Sequence, residues 1–256
     1  MKGVNQTVGK TLYRLITPLF NPMQLVRSVP RYISFYDDLR HYSKMTGSEL
    51  IKFEDINPRI HDKTKNTGFD SHYFYQDIWA FKKICAAKPK LHVDVGSRID
   101  FVGFLTAITN VTFIDIRPLM ADLDNFDSRK GSILSMPFEN NSVQSLSCLH
   151  VAEHVGLGRY GDPLDPFGTK KSCKELSRIL ANGGDLYFSL PVGKNRVCFN
   201  AHRIHTPKQI TDYFADLDLC EFSGIDDNGR FVKNAEMGQF ENMSYACGLF
   251  HFLKRC

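Results

Sequence analysis

The chain has 256 residues, enough for one sizeable α/β domain plus an extension, and its 43% hydrophobic and 23% charged content is that of an ordinary globular protein. The net charge of +4 is unevenly placed: residues 1–45 hold Lys2, Lys10, Arg14, Arg27, Arg31, Arg40 and Lys44 against only Asp37 and Asp38, which leaves the remainder close to −1. A nucleic-acid binder would carry its basic face on the core as well, so no nucleic-acid partner is expected.

Seven cysteines, an odd number with no CxxC pair, read as buried reduced thiols of a cytosolic protein. No run approaches the roughly 20 apolar residues that span a bilayer, and Pro18, Pro22 and charges interrupt the start where a signal sequence would need a continuous apolar stretch. A soluble, cytoplasmic protein is expected. Residues 1–68 read as a basic helical extension, with Leu12, Leu15, Ile16, Leu19 and Phe20 at helical spacing. Such a stripe suits a peripheral helix at the inner membrane face, or equally a helix docked on its own domain or on a partner protein.

From residue 69 the pattern becomes that of a single α/β domain. Asp70 or Ser71 caps a helix through Tyr75, Ile78, Trp79, Phe81 and Ile84 to about Ala87, stopped by Pro89. Then come a strand at 91–95, a helix near 99–108 and a strand at 111–115. Residues 131–138 read as a short strand and turn, and Ser145–His150 as a buried strand. An amphipathic helix follows at 169–180, with Cys173, Leu176, Ile179 and Leu180 on one face. Asn182, Gly183 and Gly184 turn into a strand at 185–190, and a helix follows Pro207. Strands near 219–225 and 244–253 close the sheet as a hairpin. Alternating strands and helices predict a mainly parallel sheet with ligands at the carboxyl ends of its strands, and the final pair predicts one antiparallel strand.

The chemistry concentrates where the first strand ends. The segment Leu91–Ser97 runs through Asp94 into a single Gly96, and about 20 residues on, the second strand ends in Asp115. A dinucleotide fold needs three glycines to seat a pyrophosphate on a helix N-terminus. One glycine behind a carboxylate suits a cationic, phosphate-free ligand, such as the amino-acid end of S-adenosylmethionine, with Asp115 taking ribose hydroxyls.

The downstream order strengthens this. Gly131–Glu153 contains Met136-Pro137-Phe138, then Asn141-Ser142-Val143 and Leu149-His150; Glu175–Pro191 contains Arg178-Ile179-Leu180 and Gly183-Gly184. Over residues 90–192 these blocks resemble class I S-adenosylmethionine-dependent methyltransferases. More narrowly, His72–Trp79, Asp94–Arg98, Gly156–Pro163 and Arg196–Arg203 resemble a domain-of-unknown-function group, numbered 268, of methyltransferase-like proteins associated with bacterial surface-polysaccharide biosynthesis. The resemblance implies a Rossmann-like, seven-stranded fold, S-adenosylmethionine as cofactor, and O-methylation of a sugar or of a nucleotide-sugar or lipid-linked carbohydrate. Arg98 and Asp100 stand in place of the second and third glycines of the usual fingerprint, and Ser132 where an aspartate often meets the adenine.

On this reading Asp94, Gly96, Ser97, Asp115, Ile116, Ser132, Ile133 and His150 form the cofactor set. His154, Asp162 and His202 are the candidate bases that take the acceptor's proton, with Glu153 behind them. Gly156–Pro166 is a substrate loop, where Arg159 and Tyr160, with Arg196 and Arg203 from the later block, grip an anionic acceptor. His150, Glu153 and His154 also spell HxxEH, a zinc pattern that requires a true helix. The strand expected to end at His150 argues against it, and no metal is assigned. A non-catalytic binding module of the same fold is the alternative function, and a zinc hydrolase the third.

Overall fold

The computed structural model describes residues 22–255, and the chain divides into two compact units between Gly68 and Phe69. The apolar stripe from Leu12 to Phe20 lies outside the described residues. In the first unit, helix α1 (Pro22–Tyr42) carries Pro30 in its interior, where the missing N–H removes one rung of the backbone ladder. The coil beyond folds back on α1: Ser28 Oγ lies 3.3 Å from the His61 ring, and the Arg31 guanidinium meets the same ring. No described helix is long and apolar enough to cross a membrane.

The second unit is built on one eight-stranded sheet. Its strands are β1 (Leu91–Val95), β2 (Asn110–Asp115), β3 (Phe126–Lys130), β4 (Val143–Leu149), β5 (Leu180–Val192), β8 (Leu217–Ile225), β9 (Phe231–Val232) and β10 (Ala246–Lys254). Between β5 and β8 lies a separate two-stranded hairpin of β6 (Arg196–Cys198) and β7 (His202–Ile204). The order across the main sheet is β3-β2-β1-β4-β5-β10-β8-β9. The ladders from β3 to β5 are all parallel, whereas β10 is antiparallel to both β5 and β8, and β9 is antiparallel to β8. The sheet thus differs from the seven strands with one antiparallel member read from the sequence. The two-residue β9 adds an eighth strand at the edge, and both β9 and β10 run against the rest.

Period-two alternation divides the strand side chains between two cores. Val93, Val95, Ile114, Leu146, Cys148 and Phe188 pack toward helix α4 (Gly168–Ile179) and helix α5 (Pro207–Tyr213). Val111, Phe113, Tyr187 and Leu249 pack toward helix α2 (Ser71–Ala87) and helix α3 (Ile99–Leu105). Both faces are covered, which is why the central strands read as near-continuous apolar runs. Asp70 caps α2 by accepting the N–H groups of His72 and Tyr73, and a reciprocal Thr206–Gln209 capping box starts α5.

Three expectations are corrected in detail. The third strand is Phe126–Lys130 rather than residues 131–138, which form a loop tied by a single Ser132–Ser135 bridge. Asn182–Gly184 does not precede its strand but lies inside β5, where Val143 pairs with Leu180 and Ser145 already pairs with Asp185. The surplus residues there form a bulge. Helix α3 ends at Leu105, because Thr106 Oγ1 bonds back to the Gly103 carbonyl at the helix end.

Candidate functional site

The first turn of the sheet is shaped by Gly96. Its φ of +66° is disfavoured for residues with a side chain, and a Cβ there would stand 3.2 Å from Val151 Cγ1 and 3.4 Å from Asp115 Oδ2. The Gly96 N–H donates to the Ile114 carbonyl at 3.0 Å, so the turn is pinned beside the end of β2. Asp115 Oδ1 accepts the Arg117 N–H at 2.7 Å, while its other oxygen is the one turned toward Gly96. Backbone and carboxylate therefore meet with no side chain between them.

Asp94 and Ser97 lie behind this turn. Asp94 is fully buried; Oδ1 accepts the Ser97 N–H at 3.0 Å, and Oδ2 accepts the Ser147 hydroxyl. Ser97 Oγ in turn accepts the Leu149 N–H at 3.1 Å. Burial pushes the Asp94 carboxyl up to about 6, against the hydrogen bonds from Ser147 and Ser97. These residues fix β1, its turn and β4 to one another and do not line the opening above.

That opening is a cleft of about 410 Å³ at the carboxyl ends of β1, β2 and β4. Gly96, Asp115, Ile116, Ser132, Ile133 and His150 border it, and His154, Tyr160 and Asp162 close the far side. Its size is within the range of small-molecule sites. Tyr160 stands between two guanidinium groups, 4.6 Å from that of Arg117 and 5.1 Å from that of Arg159. Arg117 is a cleft residue that the sequence reading did not single out.

The candidate bases are unequal. His154 Nδ1 lies 2.6 Å from the Ala201 carbonyl, so that nitrogen carries the proton and Nε2 does not. Burial holds its pKa down at about 4. Asp162 accepts the N–H groups of Gly156 and Tyr160. Its partial burial favours the neutral acid, but those N–H groups outweigh it and keep the carboxyl below the usual carboxylate range. His202 stands apart from the cleft, its ring 5.0 Å from that of Tyr245, and burial lowers its pKa.

The expected anion grip is not assembled. Arg203 is buried, with its guanidinium on the Val155 and Asp165 carbonyls. Arg196 donates to the Lys194 and Ser244 carbonyls. Arg159 reaches the Ala201 carbonyl at 3.2 Å beside His154 and is the one of the three that flanks the cleft, through Tyr160. The HxxEH segment is a single 3-10 turn, Ala152–His154, and not the α-helix that motif needs.

A second cleft of about 470 Å³ is lined by Asp70, His72, Tyr73, Asp227, Ser244 and Tyr245, among others, and shares His150 with the first. Among the described residues, no lysine or arginine lines it. Asp227 is occupied by the Ser244 and Tyr245 N–H groups at 2.7 Å. Aromatic faces and hydroxyls are what this cleft offers, with the Tyr245 ring stacked 5.1 Å from that of His72. Sequence spacing gave no sign of Tyr245, which is 173 positions from His72.

The family described as "Caenorhabditis protein of unknown function, DUF268" matches residues 99–245, more than half of the chain. No curated protein matches it. Among solved structures, a geranyl diphosphate methyltransferase in complex with GPP and sinefungin is similar at a TM-score of 0.53 and 14% identity, over 72% of this chain and 78% of that one. The N-methyltransferase NodS from Bradyrhizobium japonicum WM9, in complex with S-adenosyl-l-homocysteine, is similar at 0.50 and 12%, over 71% and 87%. The YcgJ protein from Bacillus subtilis is similar at 0.52 and 11%, over 72% and 99%. The second unit has the fold of class I methyltransferases.

Proposed function

The chain belongs to the DUF268 family, and on that premise we propose that it is an S-adenosylmethionine-dependent methyltransferase acting on a hydroxyl of a sugar or carbohydrate-linked acceptor. The observation that carries this reading is the placement of Gly96 beside Asp115: a Cβ on that turn would stand 3.4 Å from the carboxylate, and both residues border the 410 Å³ cleft. Those residues fit the cofactor. Asp115 would accept ribose hydroxyls, Gly96 lets the ligand reach the backbone, and Ser132 and Ile133 would flank the base. Asp94 and Ser97 act by holding the turn in place. When bound, the cofactor supplies a methyl group on a sulfonium.

What the protein must add is alignment and a path for one proton, because the acceptor oxygen loses its hydrogen as the O–C bond forms and the C–S bond breaks. His154 borders the cleft, and its Nε2, 3.5 Å from Glu153 Oε1 and 3.4 Å from an Arg159 nitrogen, would be the acceptor of that proton; Asp162 shapes the loop beside it. His202 is set against Tyr245, a residue that lines the second cleft. That cleft suits the carbohydrate, since tyrosine and histidine faces stack on sugar rings and nothing there demands an anion. Arg117 and Arg159, both beside Tyr160, are the arginines placed to meet a phosphate at the rim of the first cleft. Residues 1–68 then form a basic extension to a catalytic unit of 69–256, and residues 1–45 supply contact with a partner protein or the inner membrane face of a cytoplasmic enzyme in surface-polysaccharide biosynthesis.

A non-catalytic module is the second reading. It is favoured by one observation: neither His154, held at about 4, nor Asp162, held below the usual carboxylate range, has the near-neutral pKa of an ordinary base. Calorimetry with S-adenosylmethionine and the Asp115→Ala variant, followed by incubation with labelled methyl donor and fractionated envelope precursors, separates the two. Binding lost in Asp115→Ala with label transferred supports methyl transfer. Binding without transfer to any fraction supports the module, and no binding removes both readings of the cleft.

A further inference from the structure

Three buried donors converge where the start of α2, the end of β4 and the start of β10 meet. His72, His150 and Cys247 each place a ligand atom within 4.8 Å of the other two. All three are at least nine-tenths buried. The surroundings of His150 are built in a particular way. Its Nδ1 lies 2.7 Å from Gln76 Oε1, and its Nε2 is buried with no hydrogen-bond partner. Gln76 Nε2 donates to Asp77 Oδ1 at 3.2 Å, which fixes the end of the amide that faces His150, and Ser189 Oγ donates to the same Gln76 oxygen at 2.6 Å. An amide oxygen only accepts, so Nδ1, which also lies 4.0 Å from Cys247 Sγ, carries the proton, and Nε2 holds a lone pair that no protein group takes up. Leaving such a group unpaired is unfavourable unless something arrives to use it. The His150 backbone also has a φ of +57°, a left-handed conformation disfavoured for residues with a side chain.

We propose that His72, His150 and Cys247 form a binding site for a divalent transition ion of the zinc class. Two imidazoles and a thiolate are donors suited to zinc rather than to magnesium or calcium, which take oxygen ligands. The Gln76 oxygen on Nδ1 is the outer support that orients a metal-binding histidine. Three protein ligands leave a fourth position. Because His72 and His150 both border the 470 Å³ cleft, that position and the ion's entry path open into it. The carboxylates of Asp70 and Asp227, both lining this cleft, add an attractive field for a cation. Of the HxxEH pattern only His150 takes part, with partners from distant segments. The fourth ligand is an oxygen donor from the cleft, a water or an acceptor hydroxyl. The site goes beyond the methyl-transfer reading and stands without it.

The test is a cobalt(II) titration of the full-length chain, purified in chelator and dialysed, with zinc content measured in parallel by elemental analysis. One equivalent per chain, tetrahedral visible bands and a near-ultraviolet thiolate-to-cobalt band, all displaced by zinc, are expected. Cys247→Ser removes the thiolate band and the exposed-cysteine control Cys220→Ser keeps it. Gln76→Leu weakens zinc by roughly 10–100-fold. No saturable binding by the wild-type chain overturns the proposal, as does a thiolate band that survives Cys247→Ser. If Cys247→Ser does not fold, His72→Gln at the cleft wall replaces it, and cobalt affinity unchanged there overturns the proposal equally. S-adenosylmethionine calorimetry on the metal-free chain reports on the methyl-transfer reading alone, so each can fail without the other.

Discussion

Glu153 Oε1 lies 3.5 Å from His154 Nε2, yet neither oxygen of this fully buried carboxyl takes part in a hydrogen bond. The contact has the distance of an ion pair and the physics of two neutral groups. Burial pushes Glu153 up to about 8 and His154 down to about 4, so around neutrality the acid keeps its proton and the imidazole stays uncharged.

The sign of the Glu153 effect on stability follows. Its pKa is raised on folding, so between about 4.5 and about 8 the folded chain holds a proton that the unfolded chain has lost. Stability therefore falls as pH rises through that window and levels off above it. Glu153→Gln keeps the shape and has no proton to lose. Its melting temperature should match wild type near pH 4.5 and exceed it by a margin that grows up to pH 8. A margin that does not change between pH 5 and pH 8 would show that the carboxyl is not held neutral.

His154 makes a kinetic prediction of the same kind. If Nε2 receives the acceptor's proton, the acidic limb of kcat/KM belongs to an imidazole that titrates near 4, and the rate is flat from about pH 5.5 to 7.5. Removing the Ala201 carbonyl contact is impractical, but His154→Gln keeps a nitrogen donor to it while deleting the base. Turnover should drop by roughly 10²–10⁴-fold with KM for the methyl donor little changed. A wild-type limb centred near 6.5 would transfer the role to another group.

At Gly96 the expected damage is to binding first. An alanine there keeps φ near +66° at a cost of roughly 1–2 kcal/mol, and its Cβ meets Val151 and the Asp115 carboxylate. Gly96→Ala should lower the melting temperature by a few degrees and S-adenosylmethionine affinity by at least about tenfold, the latter equal to about 1.4 kcal/mol. Calorimetry beside thermal melts checks both. Affinity that survives the substitution would place the ligand elsewhere.

Legibility followed the apolar runs. β1, Gly96, β2 and Asp115 could be read because two short buried strands flank one glycine and a helix, and burial on both faces writes itself into composition. β3 could not: Phe126–Lys130 is a polar edge strand whose one sheet partner is β2, so only its backbone pairing marks it. The β6–β7 hairpin has three residues on each side, too few for a period. Within the site, the turns after β1, β2 and β4 border the 410 Å³ cleft while His202 does not, and side-chain direction was not available from spacing. Asp94 turns inward to Ser97 and Ser147, and His92, one step earlier on the alternating pattern of β1, sits between Ser145 and Ser147 at 2.7 and 2.8 Å. A strand that looked apolar carries a buried polar seam because its partners include serines 53 and 55 residues away. The same distance problem hid Gln76, Tyr245 and Cys247, each on a different element from the histidine it adjoins.

Arg203 and Arg159 show how direction changes a role. Arg203 Nη2 donates to the Asp165 carbonyl at 2.8 Å and Nη1 to the Val155 carbonyl, so one buried guanidinium closes the two ends of the loop from Gly156 to Asp165. Lysine cannot span both carbonyls, and Arg203→Lys should cost about 1–3 kcal/mol as one buried acceptor loses its donor. The loop would loosen and ligand binding would weaken only as a consequence. Arg159 is exposed, holds the Ala201 carbonyl at 3.2 Å and covers Tyr160. Arg159→Ala should therefore shift stability by less than about 0.5 kcal/mol, with its effect on the acceptor's KM instead. Thermal melts of both variants beside acceptor kinetics decide the matter. Arg203→Lys melting like wild type while raising KM would return Arg203 to the ligand, and Arg159→Ala changing neither would take Arg159 from it.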